Sequence, residues 1–449
     1  MARSTPPSNL AGFRPGGVVH GEVRVPSSKS IAQRVLVAAG LTEGPCRVTG
    51  LSDAGDVAAL AGALRAAGVG IGPSGPRAVL VDGRPPRDGD GWGRPDGPTR
   101  LRVGESGTAA RLCTAAFALC GRPPGIGTVQ GSGSLDRRSS PPLFTALRGA
   151  GVELREEGPP GGWPVAVTPA PPRGEVVLDD PVSSQEVTAL LIALAAHPGE
   201  RRLEVTGRIP SRPYVALTRA VLATFGVGVE VEQRPARAAF VVSGPLRAPD
   251  EPVVVEPDAS AAAVALAAAA LTGGEAWVRG LSHGSPQGDV RIVDRLAAFG
   301  VDAGERGGAL WATGRPTRGA RLDLSGEPDL APVLAAVAGA AAHAGRGESR
   351  LDGLGTLPGK ESSRIAVLAR GLEALGLTVQ ATDESLSIAP GRGGSVTVEL
   401  DPAGDHRMAF AFALLSLVRE GVRVREPACV AKSWPGFWED LERAGATLH

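Results

Sequence analysis

A short phrase recurs six times along this chain and limits what it can fold into: a helical segment ending on glycine, followed at once by Val, Ala or Leu. It reads ALRAAGV ending at Val69, ALRGAGV at Val152, VLATFGV at Val227, RLAAFGV at Val301, LEALGL at Leu377 and LERAGA at Ala446. The glycines, Gly68, Gly151, Gly226, Gly300, Gly376 and Gly445, are 83, 75, 74, 76 and 69 residues apart. Each copy reads as an amphipathic helix closed by a left-handed glycine cap, with a short strand after it, as at 152–154 and 227–231. Upstream of most copies an Ala/Leu-rich helix is predicted, over 31–41, 107–119, 185–196, 259–271, 330–342 and 407–417. A repeat of about 75 residues with two helices and several strands is too mixed for a helical solenoid and too helical for a propeller blade. Six α/β units grouped as two domains of three is the expected organisation.

Size and charge agree with that reading. The 449 residues, 43% of them hydrophobic, suffice for two cores. Pro- and Gly-rich stretches at 83–98 and 158–174 read as surface loops, and the one at 247–252 falls between the third and fourth repeats, where a hinge belongs. The formal net charge is zero, and without a basic block the chain has no electrostatic footprint for nucleic acid and no polybasic face for a membrane. The N-terminal stretch lacks the apolar core of a secretory signal, and the longest apolar run, 259–271, is too short to span a bilayer. A cytoplasmic protein is expected. Cys46, Cys113, Cys120 and Cys429 form no CxxC pair and the six histidines form no HxxxH or HExxH, so small buried thiols are expected and a protein-built metal site is not.

Composition singles out three residues. Of the 47 basic residues only Lys29, Lys360 and Lys432 are lysine, as if arginine had replaced lysine wherever a generic cation suffices. A lysine retained against that bias suggests a site where a compact ammonium does what a planar guanidinium cannot. Lys29 stands in VPSSKSIAQR, where a strand turns into a helix. Ser27, Ser28 and Ser30 are N-cap types there. Lys29 is thus placed at a helix N-terminus, which favours anions, with Arg34 four residues past Ser30 on the same face. GESGTAARL offers a second helix start, with Gly107 allowing close backbone approach. PVSSQEVTALL opens a third with Ser183, Ser184 and Gln185. In the C-terminal half, Asp329 enters an apolar helix. LPGKESSR places Lys360, Glu361 and Arg364 within one helical turn. GDHRMAF sets Asp405, His406 and Arg407 at another helix start, and Lys432 precedes a Trp-Pro turn. Carboxylates beside cations at helix starts suit a general acid or base near a bound anion.

The ordered series PSSKSxxxxR, SGTAxR, GSxSLxxR, SSQxxTALL, SRPY, DASAAAxxLAAAA, QGD, PD, KExxR, DHRMA and AKSWP resembles the 5-enolpyruvylshikimate-3-phosphate (EPSP) synthase family, from about Gly16 to His449. All three lysines and the single tyrosine fall on motif positions. The resemblance implies an α/β fold of two domains, each of three βαβαββ repeat units, an inside-out α/β barrel. It implies residues 27–249 as an acceptor-side domain, 1–26 plus 250–449 as the second, and a cleft and hinge between them. It implies transfer of the enolpyruvyl group of phosphoenolpyruvate to the 5-hydroxyl of shikimate 3-phosphate, by a monomer, with no organic cofactor and no metal.

The implied acceptor contacts are Lys29, Ser30, Arg34, Ser183, Ser184, Gln185, Ser211, Tyr214, Asp329, Thr356 and Lys360. Those implied for phosphoenolpyruvate are Lys29, Gly107, Arg138, Gln185, Arg364, Arg407 and Lys432. The implied proton-transfer groups are Asp329, Glu361 and Lys29. Several positions depart from the family pattern: Glu105 replaces its usual Asn, the usual GDxSxxxRP reads GSGSLDRRS and so misses the acidic residue after the first glycine and the proline, Thr356 replaces an Asn, and PGKESSR loses an arginine and an aspartate, the latter at Ser363. These departures leave open a sister carboxyvinyl transferase acting on a nucleotide or on unphosphorylated shikimate.

Overall fold

A computed structural model describes residues 9–87, 90–94, 97–392 and 397–449. The first eight residues, part of the N-terminal stretch considered above for a signal, and residues 88, 89, 95 and 96 of the 83–98 loop lie outside the described residues. The chain divides into two compact units, Ser27–Glu256 and Met1–Pro26 with Pro257–His449.

The first unit carries helices α1 (Lys29–Gly40), α2 (Gly55–Ala66), α3 (Gly107–Cys120), α4 (Pro141–Gly149), α5 (Ser184–Ala195) and α6 (Pro213–Thr224). The second carries α7 (Ala259–Thr272), α8 (Ile292–Ala298), α9 (Ala331–His343), α10 (Arg364–Ala374), α11 (His406–Ser416) and α12 (Phe437–Arg443). All six repeat glycines have left-handed φ, from +74° to +110°. After each, the next residue donates its N–H to the carbonyl five residues back, as Val69 to Leu64 and Ala446 to Leu441, the bond that closes a Schellman cap.

The glycine-capped helices are the even-numbered ones. The odd-numbered helices are apolar nearly all round and buried along their length, as helices walled in on every side must be. In each unit three of them pack together, α1, α3 and α5 in the first and α7, α9 and α11 in the second.

Each repeat builds one small sheet. The strands Thr99–Arg102, Gly127–Gln130, Glu153–Glu156 and Val165–Thr168 show the pattern: the first two pair in parallel, and the last two add antiparallel. Three repeats borrow a strand. Val253–Val254 pairs in parallel with Val48–Thr49, so 250–256 runs with the first unit, and the contact boundary falls at Glu256/Pro257 rather than at 249/250. Gly21–Glu22 pairs with Ala276–Trp277, and Leu10–Ala11 pairs with Val424–Arg425, which ties the described N-terminal residues to the second unit. No helix among the described residues is long and apolar enough to cross a membrane.

Candidate active site

Several of the residues singled out above stand at the N-terminal ends of the buried odd-numbered helices, Lys29 at α1, Gly107 at α3, Ser183 at α5, Asp329 before α9 and Asp405 at α11. There unpaired backbone N–H groups and the helix dipoles favour negative charge.

In the first unit, Lys29 is the first residue of α1, behind an N-cap in which the Ser28 hydroxyl accepts from Ile31 N. Its Nζ lies 3.1 Å from Asp56 Oδ2, an acidic partner absent from the sequence reading. One turn on, the Gln33 amide donates to the Asp56 carbonyl (3.3 Å) and to the Ser106 hydroxyl (2.9 Å), which itself caps α3. Arg34 is buried and, among the described residues, reaches neutral acceptors alone: the Ser30 carbonyl at 2.7 Å, the Thr218 and Thr188 hydroxyls at 3.0 and 3.3 Å, and the Tyr214 carbonyl at 3.5 Å. Its guanidinium also lies 5.9 Å from the Tyr214 ring centroid. Burial pulls the pKa of Arg34 down to about 10 against the opposing influence of Tyr214.

Ser183 is the N-cap of α5 and forms a capping box with Glu186, so its hydroxyl is engaged with the helix's own Gln185 N–H at 3.2 Å. Ser211, just before α6, holds φ at +50°, a left-handed conformation costly for a residue with a Cβ and a mark of functional sites. The guanidinium of Arg138 lies flat against Gly107, where an added Cβ would come within 2.7 Å of it. Only glycine admits that approach.

In the second unit the cations are matched by carboxylates. Arg364 opens α10 and spans three of them: Asp329 Oδ1 at 2.9 Å, Glu361 Oε2 at 2.8 Å and Asp405 Oδ2 at 2.8 Å. Burial opposes its charge, but Asp405, Glu361 and Asp329 outweigh it and raise its pKa. Asp329 is also approached by Arg407 Nη2 at 3.1 Å and Lys360 Nζ at 3.8 Å, and Lys432 Nζ stands 3.6 Å from Glu361 Oε1. Asp405, the N-cap of α11, is fully buried and takes Arg407 N at 2.9 Å. The Thr356 hydroxyl oxygen is buried without a hydrogen-bond partner among the described residues, a condition that a bound polar ligand would relieve.

One local expectation fails. Lys360 and Glu361 do not share a helical turn with Arg364; they lie in bends, and the helix begins only at Arg364. The Ser362 hydroxyl is drawn to Asp405 at 3.2 Å and Glu361 pairs with Arg364 at 2.8 Å, side-chain contacts made by this segment in its bends.

Two further residues join this cluster without having been assigned a role. Ser260 donates to Asp289 Oδ2 and accepts from Arg407 Nη2 at 3.1 Å. Asp289 lies in the QGD of the ordered series, and nothing in that triplet shows that it faces Arg407.

The family model described as EPSP synthase (3-phosphoshikimate 1-carboxyvinyltransferase) matches residues 13–441. A 3-phosphoshikimate 1-carboxyvinyltransferase of Thiobacillus denitrificans is 36% identical over 427 residues, covering 93% of this chain and 95% of that protein. One from Methanosphaerula palustris is 36% identical over 436 residues, covering 95% and 98%. Among solved structures, EPSP synthase from Acinetobacter baumannii superposes with a TM-score of 0.76 at 26% identity, over 98% of this chain and 99% of that one.

Proposed function

The chain belongs to the EPSP synthase family, and we propose that it transfers the enolpyruvyl group of phosphoenolpyruvate to the 5-hydroxyl of shikimate 3-phosphate, releasing phosphate. The observation that carries this reading is the nest of two carboxylates and four cations in the second unit: Asp329 held by Arg364, Arg407 and Lys360, and Glu361 shared by Arg364 and Lys432. Such a nest offers cations to a highly charged anion and carboxylates to move its protons.

The residues divide the work as follows. Lys29, Ser30, Arg34, Ser183, Ser184, Gln185, Ser211, Tyr214, Thr356 and Lys360 hold the acceptor. The phosphate monoester is taken by neutral hydroxyls at the start of α5 and by Ser211, where the helix dipole helps to hold its charge. Lys29, Gly107, Arg138, Gln185, Arg364, Arg407 and Lys432 hold phosphoenolpyruvate, whose carboxylate suits a bidentate guanidinium. As the ligand draws Arg407 and Lys432 toward its own charges, the carboxylates that these cations balance become available as bases.

Asp329 then takes the proton of the attacking hydroxyl. The Glu361–Lys432 pair, with Lys29, delivers a proton to the methylene carbon, so that positive character grows at the neighbouring carbon as the acceptor oxygen adds to it. In the tetrahedral adduct the carbon–oxygen bond to phosphate breaks, phosphate leaves, and a proton lost from the new methyl group restores the double bond. Electrons and protons balance without a redox step. We propose a cytoplasmic monomer, and the zero net charge without a basic block supports a chain that works without nucleic acid.

A phosphate-release assay with phosphoenolpyruvate and a panel of acceptors tests this. Shikimate 3-phosphate is expected to show a kcat/KM at least about a hundredfold above shikimate, or roughly 2.7 kcal/mol of differential transition-state binding. Ser183→Ala combined with Ser184→Ala should erase much of that preference. Equal turnover of the two, or faster turnover of a nucleotide, would assign the chain to a sister transferase instead.

A further inference from the structure

Arg111 has no part in the roles above, yet it is built into the wall beside Gln185. It leaves α3 four residues after Gly107, is buried, and stacks 5.4 Å from the ring centroid of Trp163. Its guanidinium donates to the Ser140 hydroxyl at 2.9 Å, the Gly107 carbonyl at 3.0 Å, the Ser139 carbonyl at 2.9 Å and Gln185 Oε1 at 3.1 Å. Two of these acceptors are main chain. The third, Ser140, gives its own proton to the buried Glu186 carboxylate and so can only accept from Arg111. Of the four, only Gln185 ends in a group that can rotate.

A primary amide has an accepting end and a donating end, whereas a guanidinium has donors only. Facing Arg111, Gln185 has one tolerable orientation: oxygen toward the guanidinium, NH2 away from it. The opposite orientation forfeits a charge-assisted bond and sets donor against donor, a bias of at least about tenfold. Burial and the neighbouring Arg138 pull the pKa of Arg111 down, with Glu186 opposing, to about 10, so the side chain is a cation at neutral pH.

We infer that Arg111 is a positioning residue that fixes Gln185 as a hydrogen-bond donor, so that Gln185 reads an accepting oxygen of the ligand and disfavours a ligand that presents a donor there. The inference rests on the functional reading above for the identity of that ligand. The orientation itself follows from Arg111 alone.

The test is steady-state kinetics on Arg111→Gln, whose amide can donate or accept and therefore releases Gln185 from its fixed orientation. We expect the KM of the substrate that Gln185 touches to rise about tenfold with kcat changed less than about threefold. In a Gln185→Ala background the same change should add less than about twofold, because the group it acts through is gone. An equal loss in both backgrounds would show a merely structural role and overturn the inference.

If Arg111→Gln does not fold, Gln185→Glu and Gln185→Met leave the core untouched. The carboxylate variant, which keeps Arg111 satisfied but turns an acceptor to the ligand, should have the higher KM by about tenfold; an equal or lower KM overturns the inference. Absence of phosphate release by the unaltered chain with shikimate 3-phosphate would sink the functional reading alone. The two Gln185 variants would then be ranked by calorimetric binding of phosphoenolpyruvate, with the same order expected.

Discussion

Arg34 in the first unit and Arg364 in the second are both buried arginines, at 1% and 2% exposure, but their surroundings are opposite. Arg34 meets two hydroxyls and two carbonyls, and its pKa falls to about 10 because burial dominates. Arg364 meets three carboxylates, and its pKa rises despite burial. A buried cation satisfied only by dipoles leaves positive potential uncompensated, and an anion can use it. A cation locked among carboxylates has little left for a ligand until those bonds rearrange; what it organises is the carboxylates. The difference lies in how each cation is balanced: by dipoles around Arg34 in the first unit and by carboxylates around Arg364 in the second.

The same substitution in both places breaks or upholds this contrast. Arg364→Met leaves three carboxylates facing one another without their shared counter-charge, and should cost about 3–5 kcal/mol of folding stability, the range for removing one partner of a buried ion pair. Arg34→Met leaves only neutral acceptors unsatisfied and should cost about 1–3 kcal/mol. Denaturant unfolding monitored by tryptophan fluorescence measures both. Equal costs would mean that the carboxylates around Arg364 are not what distinguishes the two sites.

Activity sharpens it further. Lys29→Ala and Lys432→Ala should each lower kcat/KM by roughly 2–5 kcal/mol equivalent with the fold retained, since each removes a charged contact to a desolvated anion. Their carboxylate partners should part company. Glu361→Gln, beside Lys432, is expected to lower kcat about a hundredfold, the usual scale for losing a general acid–base group. Asp56→Asn, beside Lys29, should act mainly through KM. A matching loss of kcat in both would show that Asp56 supports proton transfer through Lys29 rather than binding alone.

How much of this could be read from the sequence depends on whether the signal was local. The six glycines announce their helix caps because only a left-handed residue closes such a turn, and all six adopt it. The odd-numbered helices begin and end within about two residues of their expected bounds, because Ala/Leu-rich stretches flanked by Ser, Asp or Gly punctuate themselves. The borrowed strands at Leu10–Ala11, Gly21–Glu22 and Val253–Val254 are two residues long, too short for any alternation to show.

Pairings across the chain leave no local trace at all. Gln185 lies 74 residues from Arg111. Asp405, legible as an N-cap, gives no sign in DHRMA that it also anchors Arg364 from 41 residues away. The helical turn expected for Lys360 and Glu361 is absent, and the partners these bends meet lie far along the chain, Asp405 for Ser362 and Lys432 for Glu361.

The smallest expected effect comes from a carboxylate that the comparison so far omits. Asp289 is buried in the second unit, and burial raises its pKa from 3.8 to about 7, with Arg407 opposing, Asp329 adding, the Ser260 hydrogen bond opposing and Asp258 adding. Between about pH 4 and pH 7 the folded chain therefore holds a proton that the unfolded chain has released. Stability rises with pH only where the unfolded state binds more protons, so this group's contribution falls as pH rises through that window, and above it the folded state carries the whole penalty of a buried charge. Asp289→Asn keeps an acceptor for the Ser260 hydroxyl and removes the titration. Relative to the parent, the variant should gain about 1–3 kcal/mol between pH 5 and pH 8, measured by denaturant unfolding at both pH values without ligand. A difference that stays flat with pH would mean that Arg407 already compensates Asp289 as fully as Arg364 is compensated by its three carboxylates, and that burial does not bring the titration of Asp289 near neutrality.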